Sequence, residues 1–172
     1  MDYKETIQYL YDSLPVFHRI GKAAYKANLD NSILFDNHLG KPHEKYKTIH
    51  VAGTNGKGSV SNIIASVLHS AGYKTGLYTS PHLFDFRERI KINGQEIPEQ
   101  QVVDFVKQNK SLIEQLRPSF FEITSSMAFW FFAETQVDVA VIETGLGGRL
   151  DSTNIITPKL CVITNIDFDH TE

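Results

Sequence analysis

Seven residues, Gly53-Thr54-Asn55-Gly56-Lys57-Gly58-Ser59, constrain this chain more than any others. They stand between a short strand pattern, Thr48-Ile49-His50-Val51-Ala52, and an apolar-periodic stretch over residues 60–71 that Gly72 closes as a helix. Strand, glycine turn and helix in that order form a phosphate-binding arrangement. Glycines let backbone N–H groups converge on phosphate oxygens, the helix N-terminus adds partial positive charge, and a lysine neutralises the terminal phosphates. Thr54, Asn55, Gly56, Lys57, Gly58 and Ser59 are therefore the predicted nucleotide-binding residues. The spacing departs from the general P-loop: two residues, not four, separate Gly53 from Gly56, and Gly58 intervenes between Lys57 and Ser59. The alternative, a glycine turn with no ligand, is weakened by its placement between strand and helix.

The flanking pattern sets the fold class. Ile7, Leu10, Tyr11 and Leu14 fall at helical spacing before Pro15, and a second helix is predicted from Asp30 to about Leu39, ended by Gly40 and Pro42; a loop rich in small and basic residues lies between. After the glycine turn, residues 74–79 read as a strand broken by Ser80-Pro81-His82. Arg89-Ile90-Lys91-Ile92 alternates polar and apolar ahead of Asn93-Gly94, a hairpin signal. An amphipathic, superficial helix is predicted from Pro98-Glu99 to Leu116. A helix over residues 120–134 carries so many aromatics that it must be buried on most sides, where core packing is the better reading than a cofactor box. Residues 137–142 and 160–165 read as continuous apolar strands of the kind buried in parallel sheets. The expectation is an α/β fold: a three-layer, P-loop-type, mostly parallel sheet with flanking helices.

Seventeen basic and twenty acidic side chains leave a net charge of −3, so no positive field holds nucleic acid or an anionic membrane; neither is an expected partner, and phosphate must be held locally. The longest apolar run, residues 127–133, is well short of the ~18 residues of a membrane span, and the N-terminus lacks signal-peptide character. The single cysteine, Cys161, sits in an apolar run and is expected to be a buried structural thiol. A cytoplasmic monomer is the expectation.

Two further residues carry chemistry. Glu143 ends the strand pattern over residues 137–142, placing a carboxylate at the C-terminal edge of the sheet, where open α/β sheets bind ligands. Ser80 ends the neighbouring strand. A hard divalent ion bridging phosphates needs oxygen ligands, and these two are natural magnesium ligands. Asp167 and Asp169 are further carboxylates within reach of metal, or hydrated loop residues. His18, His38, His43, His50, His69 and His82 read as structural or solvated.

Four ordered blocks resemble a known family: the glycine turn; Tyr78-Thr79-Ser80-Pro81-His82-Leu83 with Arg87-Glu88-Arg89-Ile90; Ile142-Glu143-Thr144-Gly145-Leu146-Gly147-Gly148-Arg149-Leu150-Asp151-Ser152-Thr153-Asn154; and Thr164-Asn165-Ile166-Asp167-Phe168-Asp169-His170-Thr171-Glu172. Together they are similar to the folate branch of the Mur ligase superfamily, the folylpolyglutamate and dihydrofolate synthases. That resemblance implies an ATP-dependent ligase joining L-glutamate to dihydropteroate or a folate through an acyl phosphate. It implies two magnesium ions, one on Ser80 and Glu143 and a second on His170, with Lys57, Glu143 and His170 as the catalytic group. It implies pterin contacts from Lys26, Ala27, Asn28 and Leu29, from Ser119, Phe120, Phe121 and Glu122, and from Leu150, Asp151 and Ser152.

The same resemblance divides the chain into an N-terminal helical segment with a substrate loop, residues 1–45, and part of a central-domain-like ATP-binding unit, residues 46–172. Family members continue with a carbamylated lysine, more sheet and a C-terminal domain, so the resemblance implies that residues 1–172 alone do not turn over. Two rivals are a peptidoglycan Mur ligase, which shares the glycine turn but not the residue 80–90 block, and a non-catalytic nucleotide-binding module, which has no need of Ser80, Glu143 and His170.

Overall fold

The computed structural model describes residues 1–14 and 28–167. A capping box, in which Asp2 and Glu5 each accept the other's backbone N–H, starts helix α1 (Tyr3–Ser13), and α2 (Asp30–His38) follows. Strand β1 (Lys47–Ala52) leads through the glycine turn into α3 (Lys57–Ser70), then β2 (Thr75–Tyr78), β3 (Ile90–Ile92) and β4 (Gln95–Glu96). Helices α4 (Glu99–Leu116) and α5 (Phe120–Glu134) precede β5 (Val139–Glu143) and β6 (Leu160–Ile163). Among the described residues no helix is long and apolar enough to cross a membrane.

The strands form one sheet in the order β4-β3-β2-β5-β1-β6. β2, β5, β1 and β6 run parallel and β3–β4 is an antiparallel hairpin on the β2 edge. Asn93 and Gly94 both adopt positive φ, 51° and 78°, as a two-residue hairpin turn of this kind requires. The mostly parallel α/β sheet predicted above is the fold observed.

Side-chain alternation along each strand builds a core on each face. Tyr78, Ile90, Ala140 and Ile142 join Leu10, Phe35, Phe105, Ile123, Met127, Phe129 and Phe132 in a large core under α1, α2, α4 and α5. α5 is buried along most of its length, as its aromatic content demands. On the other face Val51, Leu77 and Val141 meet Ala65 of α3 in a small core. β5 alternates between the two, so Glu143, two residues beyond Val141, falls on the α3 side.

Three sequence expectations are corrected. α3 begins at Lys57, not at residue 60, because Gly56 takes a left-handed N-cap conformation and its carbonyl already accepts Val60 N. Cys161 is exposed rather than buried. β6 as a whole is open, with Leu160 and Ile163 exposed and Val162 alone packed against the small core. The reason for the last two is position: among the described residues β6 pairs with β1 alone, and an apolar run on an outermost strand reads in sequence like one at the centre of a sheet.

Candidate functional site

Four segments meet at the C-terminal rim of the parallel strands. The glycine turn leaves β1 and returns as α3, so the N–H groups of Lys57, Gly58 and Ser59 occupy the first helical turn, where no intrahelical acceptor exists for them. Lys57 Nζ folds back to donate to the carbonyls of Gly53 (2.8 Å) and Thr54 (3.2 Å), keeping its charge over the turn.

The exit of β6 braces the turn. Thr54 N donates to the Asn165 carbonyl (3.0 Å), Asn55 N to Asn165 Oδ1 (2.8 Å), and Thr164 Oγ1 to the Asn55 carbonyl (2.6 Å). Thr54 Oγ1 bridges the backbone carbonyl and N–H of Asp167 at 3.1 and 3.0 Å. Gly53 is obligatory here: its φ is 135°, and a Cβ would lie 2.1 Å from Thr164 Oγ1 and 2.9 Å from the Asn165 carbonyl. The sequence reading missed Thr164 and Asn165 as turn-bracing residues, because contacts across more than a hundred residues leave no local pattern.

Between β1 and β2, β5 delivers Glu143, which is 3% exposed. Its Oε2 accepts the Ser80 backbone N–H at 3.1 Å, and both carboxylate oxygens lie 3.7 Å from where a Gly58 Cβ would stand. The predicted pair Ser80 and Glu143 is thereby brought against the start of α3. Burial pushes the Glu143 carboxyl above its ordinary range; the Ser80 N–H and the charge of Lys57 act in the opposite sense.

After Glu143 the chain forms a loop organised by Asp151. Its Oδ2 accepts Gly145 N (2.7 Å) and Leu146 N (2.9 Å), while Oδ1 accepts Thr153 N (3.0 Å) and Thr153 Oγ1 (2.5 Å). Four donors make the ionised form the natural one even though desolvation raises its pKa. Thr153 Oγ1 has one proton and gives it to Asp151, so it accepts from His50 Nε2 at 2.8 Å, which puts a proton on Nε2. Burial lowers the His50 pKa to about 4, which favours the neutral ring and leaves Nδ1 bare near neutral pH. His50 is structural, as its sequence context indicated.

The start of α5 faces this loop. Ser119 and Glu122 form its capping box, and Glu122 also receives Asn31 Nδ2 at 3.5 Å, tying α2 to α5. A Cβ on Gly145 would fall 2.5 Å from Cζ of Phe121, so the loop can pack on that ring only with glycine there. Phe120 stacks on Tyr11 at 4.9 Å. Leu150 and Ser152 are half-buried beside the Asp151 turn, and Asn28 and Leu29 lead into α2, with Asn28 Oδ1 accepting Asp30 N at 3.4 Å. Lys26, Ala27, His170 and Asp169 lie outside the described residues. A hollow of about 340 Å³ lined by Tyr3, Gln100 and Lys107 contains none of these groups.

One charged residue of the alternating 89–92 stretch is buried. Arg89 is 6% exposed, with Nε donating to His82 Nδ1 at 2.6 Å and its guanidinium 5.3 Å from the centre of the Phe120 ring. His82 Nε2 in turn meets Tyr11 Oη at 3.0 Å.

Comparison with known proteins places this geometry in context. The Mur ligase middle domain matches residues 51–172. Folylpolyglutamate synthase of Lacticaseibacillus casei is 40% identical over 177 aligned positions, covering 99% of this chain and 40% of the relative. Dihydrofolate synthase/folylpolyglutamate synthase of Bacillus subtilis is 48% identical over 139, covering 77% and 32%. A solved FPGS–AMPPCP–folate complex superposes with a TM-score of 0.88 at 39% identity, over 99% of this chain and 42% of that one. The chain thus spans well under half the length of these proteins.

Proposed function

Because the chain belongs to the Mur ligase family, we propose that the full-length protein is an ATP-dependent ligase joining L-glutamate to the carboxylate of dihydropteroate, of a folate, or of both. The observation that carries this reading is the meeting of the glycine turn, Lys57, Ser80 and Glu143 at one rim of the sheet. The relatives' names supply the substrate class, and the AMPPCP–folate complex supports an ATP site and a folate site on this fold.

A carboxylate does not acylate an amine at neutral pH, so it is first activated. A carboxylate oxygen attacks the γ-phosphorus of ATP and ADP leaves, giving an acyl phosphate; the glutamate nitrogen then attacks the acyl carbon, loses a proton and expels phosphate. Lys57 exchanges its two carbonyl partners in the turn for terminal phosphate oxygens, and the first-turn N–H groups of α3 hold the remaining ones. Glu143 and Ser80 fit a magnesium ion, because a desolvated carboxylate with a raised pKa beside a phosphate turn is relieved by a hard cation. A magnesium ion held by Glu143 and Ser80 would supply positive charge to offset that on the transferring group.

The same reading assigns His170 to a second magnesium. It assigns the pterin contacts to Lys26 through Leu29, to Ser119 through Glu122, and to Leu150 through Ser152, with residues 1–45 as the substrate-loop segment and 46–172 as the ATP-binding part. Within the Ser119 to Glu122 segment, Phe120 and Phe121 are the natural flat platform, since Glu122 is occupied as a helix cap. The Asp151 carboxylate supports this site by holding its loop. We expect the enzyme to work as a monomer in the cytoplasm.

The test is mass spectrometry of products from the full-length protein with ATP, magnesium, L-glutamate and either dihydropteroate or tetrahydrofolate. One added glutamate per phosphate released, lost in Glu143→Ala, is the expected result. Product formed only on a UDP-linked muramoyl peptide moves the protein to the peptidoglycan branch. ATP binding with no turnover on any acceptor makes it a nucleotide-binding module.

A further inference from the structure

Arg89 is a buried cation that makes no ion pair among the described residues, although its charge reaches the Glu143 carboxylate. Lys and Arg are almost never sealed from water unless paired. Among the described residues no carboxylate lies within ion-pair distance of Arg89, and its contacts, His82 and Phe120, carry no negative charge. His82 accepts from Arg89 through Nδ1 and so is itself uncharged on that nitrogen, leaving it no means of balancing the guanidinium. The face of Phe120 offsets the charge only in part. With Nε committed to His82, the two Nη groups hold no hydrogen bond to any described residue. Among the described residues the sealed, unpartnered side-chain atoms are Ser32 Oγ and Ser61 Oγ, so the Nη groups open onto the small part of Arg89 that solvent reaches.

Position specifies what should fill the gap. The Arg89 carbonyl accepts Thr79 N at 3.0 Å, which fixes the residue beside the exit of β2, next to Ser80. Strand order then sets four stations along the rim: Arg89 at the start of β3, Ser80 at β2, Glu143 at β5, and the glycine turn at β1. Strands lie about 4.8 Å apart, so the Arg89 backbone stands three spacings, about 14 Å, from the turn, too far for the phosphates held there, which leaves its guanidinium for the group that attacks them. Phe120, under the guanidinium, belongs to the Ser119 to Glu122 segment assigned above to the pterin-bearing substrate.

We infer that the Nη groups of Arg89 bind the reacting carboxylate of the substrate as a two-point fork and hold it on the β2 side of Glu143, facing the terminal phosphate. A planar guanidinium matches a carboxylate in this way and a lysine does not. His82 and Phe120 act as positioning residues, fixing the plane of the fork from its Nε edge and its face. This inference rests on the ligase reading.

The experiment measures binding to the full-length protein, without ATP or magnesium, of two acid–amide pairs: dihydropteroate and its carboxamide, and folate and its γ-carboxamide. The wild type is expected to prefer the acid about 10- to 100-fold, the worth of hydrogen bonds to a charged group. Arg89→Met should bring the acid down to the level of the amide while AMPPCP affinity stays within about twofold. Arg89→Gln, which keeps an N–H for His82, replaces it should the methionine variant not fold. Wild-type preference retained in a folded variant, or acid, amide and AMPPCP affinities all falling together, overturns the inference. If the wild type binds neither acid, the ligase reading fails first.

Discussion

The two faces of the sheet are covered to different depths. On one side four helices bury a continuous core from Leu10 to Ile156, with α5 almost wholly enclosed. On the other, α3 alone covers Val51, Leu77 and Val141, and β6 leaves Leu160 and Ile163 open. The phosphate turn belongs to the thin side and is held by hydrogen bonds from Thr164 and Asn165, whereas Phe120, Phe121 and Arg89 belong to the thick side and are held by packing. Among the described residues the two parts of the proposed site are therefore held differently. On the function proposed above, the turn that exchanges Lys57 between its own carbonyls and a ligand is held by a few hydrogen bonds, and the aromatic platform is fixed by the core.

This contrast predicts opposite responses to mutation. Phe129→Ala on the thick side should cost about 3–5 kcal/mol of stability, measured by urea unfolding, because the 1%-exposed ring leaves a cavity. Affinity for AMPPCP in the molecules that remain folded should be unchanged; a large loss of nucleotide affinity would mean the two faces are coupled. On the thin side, Lys57→Ala should lower ATP-dependent glutamate ligation by the full-length protein about 10²- to 10³-fold. Its unfolding midpoint should barely move; a fall as large as that of Phe129→Ala would break the comparison.

His50 sharpens it, because it sits on β1 and links the strand to the Asp151 loop through Thr153. Its folded pKa of about 4 lies below the ordinary 6.5, so the unfolded chain takes up the proton first. The stability contribution is complete above pH 6.5 and is lost as pH falls toward 4, by about 3 kcal/mol across that window. His50→Gln, which retains a donor for Thr153, should flatten that part of the stability–pH curve. An unchanged slope would show that His50 does not stay neutral in the fold.

The smallest effect expected is a gain. Glu143 has its carboxyl pKa raised mainly by burial, so its negative form is unfavourable in the fold and stability is lost as pH rises through its folded pKa. Glu143→Gln should therefore raise the melting temperature by roughly a few °C at pH 7, with the gain vanishing below about pH 4, while ligation is lost. A variant destabilised at pH 7 would mean that the Ser80 N–H and Lys57 already compensate the charge.

Much of this was legible before any coordinates. The Asn93-Gly94 hairpin, the buried α5 and the strand–turn–helix around Lys57 follow from residue types at fixed short spacings, where backbone conformation is decided locally. The meeting of Ser80 and Glu143 was also legible, since strand ends of a parallel sheet share a rim. Arg89 was not: alternation at Arg89-Ile90-Lys91-Ile92 reads as a half-exposed strand, and only the approach of Phe120 and His82 from distant segments buries the guanidinium. Nor was Cys161, whose apolar neighbours fit a central strand equally well.

The sequence by itself therefore determined the order of elements, the parallel sheet and the strand–glycine turn–helix around Lys57, because these depend on dihedral preferences and on periodicity within a few residues. The tertiary structure alone decided which of the described strands stands outermost, which carboxylates are occupied as caps and loop braces, and which cation is buried with no ion pair among the described residues. Burial and hydrogen-bond pairing arise from contacts between segments far apart in the chain, and no local pattern of residues records them.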